Sequence, residues 1–281
     1  MKTHIALAIT LSGLLASPLV QADVRPDPGD YTGLPAGTNL ALGYAQFIRA
    51  DDLYANGNKV TSDLDLDVNV QIFRFVHFTK LGKYIIDPQV IAPVAQQEIG
   101  LTGSKTKGLG DVIFGGTLWT IADLEKGEHL GYSVFLTAPT GADKNQGFAV
   151  SNDRWAADFQ VGYIRRLNSK FTLDVIGEVE VYQDTRKTDL EKDPLLQAHT
   201  HLRYHLSDSS HLAASYRHAW GAAETPAGGV RGDKRDDNAA MLTWASFLTK
   251  QTQLQLQYVH DLDVVNGPKT RALQARVLYA F

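Results

Sequence analysis

The amino-acid sequence predicts an all-β fold: one closed, antiparallel, transmembrane β-barrel of about 12 strands, with both termini on the periplasmic rim. Three observations predict it. Stretches of roughly ten residues that alternate apolar and polar side chains recur about every 22 residues. The connections between them alternate short and long, which sorts tight turns to one rim and loops to the other. The last stretch, Thr270 to Phe281, alternates up to the chain end and stops on an aromatic residue.

The chain starts with a basic Met1-Lys2 and an apolar run from Ile5 to Leu15, broken only by Thr10, Ser12 and Gly13. Val20-Gln21-Ala22 then fits a signal-peptidase site, so residues 1–22 are expected to be a signal peptide and Asp23 the mature start. The run is shorter than the about 20 residues a spanning helix needs. Residues 23–38 are rich in Pro and Gly and read as an irregular segment before a barrel over residues 39–281. With no cysteine the chain has no lipoprotein-type anchor and no disulfide.

The first strand is expected from Asn39 to Ala50, where Leu40, Leu42, Tyr44 and Ile48 share a face. A polar loop with Asn56-Gly57-Asn58 follows. The cleanest alternation runs from Asp63 to Ile72: Leu64, Leu66, Val68, Val70 and Ile72 oppose Asp65, Asp67, Asn69 and Gln71. Lys80 to Lys83 is a turn, Tyr84 to Ile91 a third strand weakened by Pro88, and Ala92 to Lys107 a long loop. The fourth strand, Gly110 to Thr120, sets Val112, Phe114 and Leu118 against Ile113, Thr117 and Trp119, and the fifth covers His129 to Ala138. After a long loop come Trp155 to Arg166, the turn Leu167 to Lys170, and Phe171 to Tyr182, where Val175, Val179 and Val181 oppose Asp174, Glu178 and Glu180. The eighth strand, Leu195 to Leu206, alternates Leu196, Ala198, Leu202 and Tyr204 with Gln197, His199, His201, Arg203 and His205. His211 to Trp220, Ala239 to Leu248, Gln251 to His260 and the closing strand complete the count.

The formal net charge is −4, and −5 once Lys2 is removed, which argues against a nucleic-acid partner. No apolar run beyond the leader reaches about 18 residues, which excludes spanning helices. A slightly negative mean hydropathy is compatible with a barrel, whose lipid-facing and lumen-facing residues alternate.

The closing strand resembles the last strand of bacterial outer-membrane barrels, where assembly machinery reads the C-terminal aromatic. That likeness implies Phe281, with Tyr279, as an assembly signal and membrane lipid and lipopolysaccharide as surroundings. Pro35-Ala36-Gly37-Thr38, Leu53-Tyr54 with Asn56-Gly57, Gly108-Leu109-Gly110-Asp111 and Leu136-Thr137-Ala138-Pro139-Thr140-Gly141 resemble a family of outer-membrane transporters associated with phenol meta-cleavage pathways. The resemblance covers roughly residues 30 to 145 and implies a barrel that passes small, often aromatic or hydrophobic, solutes. It implies no catalytic residues and no cofactor.

With the apolar face on lipid, the other face lines the lumen. Asp65, Asp67, Asp174, Glu178, Glu180, His199, His201, Arg203, His205, Arg217 and Arg276 are then expected to point inward, with Gln253, Gln255, Gln257 and Gln274. A register that sets Glu178 opposite His199 and Asp174 opposite Arg203 would pair these charges. Ile113, Trp119, Phe135, Ile164 and Ile176 give the inner wall an apolar arc on strands four to seven. His199, His201 and His205 share a face but lack a carboxylate on the same strand, so a polar wall is expected rather than a metal site. An enzymatic alternative places Asp236, Asp237, His260 and Asp261 together at the long-loop rim as a carboxylate-supported general base. A Ser–His pair is disfavoured, since Ser215 and His218 fall on opposite faces. The expected function is a non-enzymatic channel for passive uptake of small solutes. The alternatives are a protease-like barrel hydrolase built on the rim acids and His260, and a structural barrel whose lumen the apolar arc plugs as packing.

Overall fold

Hydrocarbon supplies no hydrogen-bond partner, so a sheet that crosses it must pair both of its edges. The computed structural model describes residues 24–141 and 150–281; the expected signal peptide lies outside the described residues. Twelve long strands form the barrel. They are β1 (Asn39–Ala50), β2 (Leu66–His77), β3 (Gln89–Ile99), β4 (Val112–Asp123), β5 (Glu128–Ala138) and β6 (Ala156–Arg166). The second half comprises β7 (Phe171–Tyr182), β8 (Leu195–Ser207), β9 (Ser210–Gly221), β10 (Arg235–Phe247), β11 (Thr252–Asp263) and β12 (Arg271–Ala280). Each pairs antiparallel with the next, and β12 pairs with β1 from Leu40↔Ala280 to Arg49↔Arg271, which closes the sheet.

Short turns and long loops fall on opposite rims, as the spacing predicts, with two departures. The expected third strand does not begin at Tyr84: Tyr84–Ile86 pairs with Thr79–Leu81 in a small rim hairpin, and the barrel strand starts at Gln89, past Pro88. Residues 92–107 are not a loop. β3 continues to Ile99, turns through Gly100–Gly103, and pairs with a strand at Ser104–Leu109 from Ile99↔Ser104 to Val94↔Leu109. Pro93 does not break this strand because the ladder skips beside it. The register shifts by one between Val94↔Leu109 and Ile91↔Ile113, and the Pro93 carbonyl accepts the Gly110 N–H at 2.8 Å. A proline has no N–H to lose where the chain bulges.

Phe47, Phe73, Phe114, Phe159, Leu242 and Val277 belong to the exposed apolar band on the outside of the barrel. In a soluble protein such a band would be an aggregation surface; around a closed barrel it is the lipid contact. Inside, Leu66, Val68, Val70, Ala95 and Ile99 cluster with Ala50, Leu53, Leu64 and Val150 at the long-loop end. Leu40, Leu42, Val76, Phe78, Trp119, Ile164 and Ile176 cluster around Tyr31 at the other end. On the long-loop rim, Leu53–Ala55 pairs on one side with Asn58–Thr61 and on the other with Gly267–Pro268, while Glu191–Lys192 pairs with Glu224–Thr225. These small ribbons give the loops a fixed shape.

Near the short-turn rim, the buried Asp87 carboxylate bridges the break that Pro88 makes before β3. It accepts hydrogen bonds from the Thr117 N–H (2.6 Å), Trp119 Nε1 (3.0 Å) and Gln89 Nε2 (3.2 Å). Leaving buried donors without an acceptor costs about 1–3 kcal/mol each. Asp87→Ala is therefore expected to lower the unfolding free energy in micelles by about 3 kcal/mol. An unchanged urea midpoint would show that the bridge contributes nothing.

Candidate functional site

The Pro/Gly-rich segment before β1 does not hang outside the barrel. From Thr38 at the short-turn rim it runs back into the lumen, where Val24, Asp27, Tyr31 and Gly33 are buried. Its anchors are acids placed against inward arginines. Asp27 meets Arg276 Nη1 at 3.1 Å and accepts from Gln257 Nε2 at 2.9 Å. Asp30 meets the same Arg276 nitrogen at 2.7 Å and Arg74 Nη1 at 3.3 Å. The Gly29 N–H donates to Asp174 Oδ2 at 2.8 Å, while Arg203 donates twice to Asp174 Oδ1, at 3.1 Å from Nε and 2.8 Å from Nη2. Removing one partner of a buried ion pair typically costs about 3–5 kcal/mol, so these contacts hold the segment firmly.

Tyr31 is the apolar anchor. Its ring packs edge-on to Trp119 with centroids 5.9 Å apart, and its hydroxyl donates to Gln160 Oε1 at 2.8 Å and contacts Ser133 Oγ at 2.8 Å. The ring lies directly over Gly162 on β6, where any Cβ would collide with it. That glycine leaves room for an aromatic ring against the wall, and the alternation pattern alone could not show it.

Above the segment lies a cavity of about 830 Å³, floored by Val24, Arg25, Pro26 and Asp27 and roofed by residues of the long loops such as Leu190, Pro226 and Pro268. Val70, Ile72, Ile91, Pro93, Ala95 and Ile113 give it an apolar wall on β2 to β4. His199, His201, Ser215, Arg217 and Gln257 line it on β8, β9 and β11, opposite that wall in the strand order. At the loop mouth, Lys192 sits over the Tyr182 ring at 4.3 Å from its centroid. Burial pushes its ammonium down to about 8, against the pull of the Glu224 and Glu180 carboxylates.

The structure brings most of the expected wall residues to the lumen side. Trp119, Phe135, Asp174, Glu178, Glu180, His199, His201, Gln255, Gln257 and Arg276 are buried there, with Arg203, His205 and Arg217 half-buried on the same faces. Of these, His199, His201, Arg217 and Gln257 line the cavity. Asp174, Arg203 and Arg276 bind the N-terminal segment or its anchors, and Trp119 packs on Tyr31. His205 contacts Thr172 Oγ1 through Nε2 at 2.8 Å near the short-turn rim. Tyr279 and Phe281 lie outside, stacked with centroids 5.7 Å apart.

Asp65 and Asp67 do not line the lumen. On β2 the apolar set Leu66, Val68, Val70 is buried and Asp67 faces outward, where Arg49 Nε reaches it at 3.2 Å; Asp65 is exposed in the preceding loop. Alternation separates two faces without saying which is inside. Toward the short-turn rim the outward face of β2 becomes Phe73 and Phe75, both exposed. The apolar arc likewise begins at β1 to β3, not only at strand four. The expected β7–β8 register is off by two: Asp174 lies opposite His201 and Glu178 opposite Gln197. The contacts form as diagonals instead, an ion pair from Arg203 to Asp174 at 2.8 Å and His199 Nε2 beside Glu178 Oε2 at 3.4 Å.

The rim acids do not converge. Asp237 is turned inward onto Arg235 and the Val265 N–H, and Asp261 onto Thr270 and Arg217. Asp236 is exposed beside His218, and exposed His260 stacks on Tyr258. Arg74, Asp27, Asp30 and Tyr31 escaped sequence reasoning. The signal that could have found the two acids is the pair in Asp27-Pro28-Gly29-Asp30 set against Arg276, a lumen arginine with no carboxylate on its own strand.

Two outcomes follow from this geometry. Gly162→Leu should displace Tyr31 and raise ion conductance in planar bilayers while the barrel keeps its heat-modifiable mobility; wild-type conductance would show that Tyr31 does not seat the segment. In protein with 13C-methylated lysines, Lys192 should titrate near pH 8 and not in the ordinary lysine range. Its positive charge at the mouth is then held below that pH and lost above it.

Known proteins match this architecture at two levels. The model of the family described as "Putative MetA-pathway of phenol degradation" matches residues 50–277. Among solved structures, the COG4313 outer membrane channel from Pseudomonas putida F1 superposes with a TM-score of 0.88 at 31% identity, over 92% of this chain and 100% of that one. More distant barrels share the fold alone: the TodX monoaromatic hydrocarbon channel deltaS2 mutant (TM-score 0.51, 9% identity, 90% and 91% of the two chains) and the β domain of the Bordetella autotransporter BrkA (0.50, 14%, 87% and 99%). No curated protein matches the chain. The chain belongs to the phenol-degradation family so described, as a β-barrel channel of the bacterial outer membrane.

Proposed function

We propose that this channel passively admits small aromatic or otherwise hydrophobic solutes into the periplasm, its long loops outward and its short turns, with both termini, inward. The observation that carries the reading is the division of the lumen. The N-terminal segment fills the short-turn half with ion pairs and an aromatic anchor, which disfavours a wide aqueous pore. The long-loop half keeps about 830 Å³ with an apolar wall. About 150 Å³ of apolar cavity is enough to hold benzene, so single-ring solutes fit easily. The family's link to phenol degradation and the channel identity of the Pseudomonas putida relative support the same solute class.

In this reading residues 1–22 direct export, lipid and lipopolysaccharide surround the apolar band, and the assembly machinery recognises the strand that ends at Phe281. Lumen acids and arginines balance one another, so the wall does not select strongly for either sign of ion. The protein acts without catalysis.

Liposomes containing the purified protein test the transport reading. Sugars should cause little swelling, and deletion of residues 24–34 should let them pass. Loading of an encapsulated aromatic-binding reporter should be faster with protein than in empty liposomes. Ready sugar flux through wild type, or no acceleration of aromatics, would overturn it. For assembly, Phe281→Ala should reduce the heat-modifiable barrel in outer membranes several-fold while leaving protein refolded in detergent intact; normal membrane levels would refute the signal.

A further inference from the structure

Four of the five short turns repeat one motif, a leucine followed two or three residues later by a lysine. They are Leu81-Gly82-Lys83, Leu124-Glu125-Lys126, Leu167-Asn168-Ser169-Lys170 and Leu248-Thr249-Lys250. The turn after β8 keeps the leucine, as Leu206, but has Asp208 where a lysine would stand. All five leucines are exposed, by 46% to 61%. A tight turn asks for no leucine, and in water such a side chain gains nothing. At the edge of a bilayer it enters the acyl chains. A lysine beside it lays its stem on apolar surface and lifts its ammonium to the headgroups. Two of the lysines already lean on aromatic rings. Lys83 Nζ stands 5.0 Å from the Tyr84 centroid, and Lys170 Nζ 5.8 Å from that of outward-facing Tyr204.

The charge on this rim is one-sided. Lys80, Lys83, Arg165, Arg166, Lys170 and Lys250 are exposed, and none of them forms an ion pair among the described residues. Lys126 alone on this rim does, with Asp123 at 3.0 Å. Glu125, Glu128 and Asp208 leave the excess uncancelled. The long-loop side differs: Lys59, Lys105, Arg186, Arg231 and Arg271 each meet a carboxylate. A chain of net charge −4 thus gathers unpaired cations at one membrane boundary. A zwitterionic headgroup carries its own ammonium and leaves that excess unanswered. An anionic headgroup answers it, and each cation near an anionic surface adds to the attraction.

We propose that the short-turn rim is a binding surface for anionic phospholipid headgroups, the turn leucines set among the acyl chains and the lysines beside them on the phosphates. With the short turns inward, as in the reading above, the leaflet they meet is the phospholipid one. The partner is therefore a lipid of the phosphatidylglycerol kind, not the phosphates of lipopolysaccharide. The proposal rests on that orientation and adds the lipid that holds the rim at its depth.

The test measures lipid selectivity of the full chain in phosphatidylcholine vesicles, using spin-labelled lipids whose motionally restricted fraction reports the barrel surface. Labelled phosphatidylglycerol should associate about threefold more strongly than labelled phosphatidylcholine, and about 1 M NaCl should bring the ratio close to one. In Lys83→Gln/Lys170→Gln/Lys250→Gln the ratio should also fall close to one. These side chains are exposed and outside ion pairs, so the barrel should fold, with its heat-modifiable mobility as the check. Lys107→Gln/Lys187→Gln/Lys234→Gln removes as much charge from the long-loop side and should keep the wild-type ratio. Equal association of the two lipids with wild type, or equal loss in both variants, overturns the proposal. In cells, a photocrosslinking benzophenone side chain in place of Leu248 should trap phospholipid. A lipopolysaccharide adduct there would overturn the proposal together with the inward placement of the short turns, and would leave the solute cavity to the flux tests.

Discussion

Everything in this molecule depends on closing the backbone hydrogen-bond ladder in a medium that offers no partners. β12 meets β1 over ten successive residue pairs, and β3 reaches β4 through a bulge at Pro93. The closure turns one face of every strand to lipid and the other to a narrow interior. Side-chain chemistry then divides by face. Phe47, Phe73 and Val277 belong outside for the same reason that Asp174, Glu178 and Arg276 belong inside.

A narrow interior full of charge is costly unless each charge finds a partner. The barrel wall supplies only part of the pairing. Arg203 and Asp174 are diagonal neighbours on adjacent strands, but Arg74 and Arg276 look to the acids of the N-terminal segment. The segment is thus the counter-charge of the wall as well as its obstruction. Its aspartates, its tyrosine over Gly162 and its backbone N–H on Asp174 all address features of the wall. This division leaves the long-loop half of the lumen free to be apolar on one side and polar on the other.

The alternation period, turn chemistry and end signals were legible in the residues because each is local. Phe171–Tyr182 and Asn39–Ala50 coincide with the strands read from the pattern, and the seam between first and last strands follows from an even strand number. Lumen residues on β5 to β8 were legible too, since there the apolar face lies outward for the full strand. On β2 the same logic misplaced Asp65 and Asp67. Near the long-loop rim the outside meets water and the inside is apolar, so polarity inverts along a single strand.

The sequence by itself determined that the chain crosses a membrane as strands, because hydrophobic periodicity and loop length are properties of neighbours along the chain. Only the tertiary structure decided which face is inside on β2, the two-residue step of the β7–β8 register, and the hairpin at 89–109. It also decided that Asp27, Asp30 and Tyr31 fill the lumen. Each of these is settled by contacts between residues far apart in sequence: Asp27 with Arg276, Tyr31 with Gln160, Pro93 with Gly110. A period-two pattern is unchanged by a shift of two residues and says nothing of what a segment without periodicity will bind.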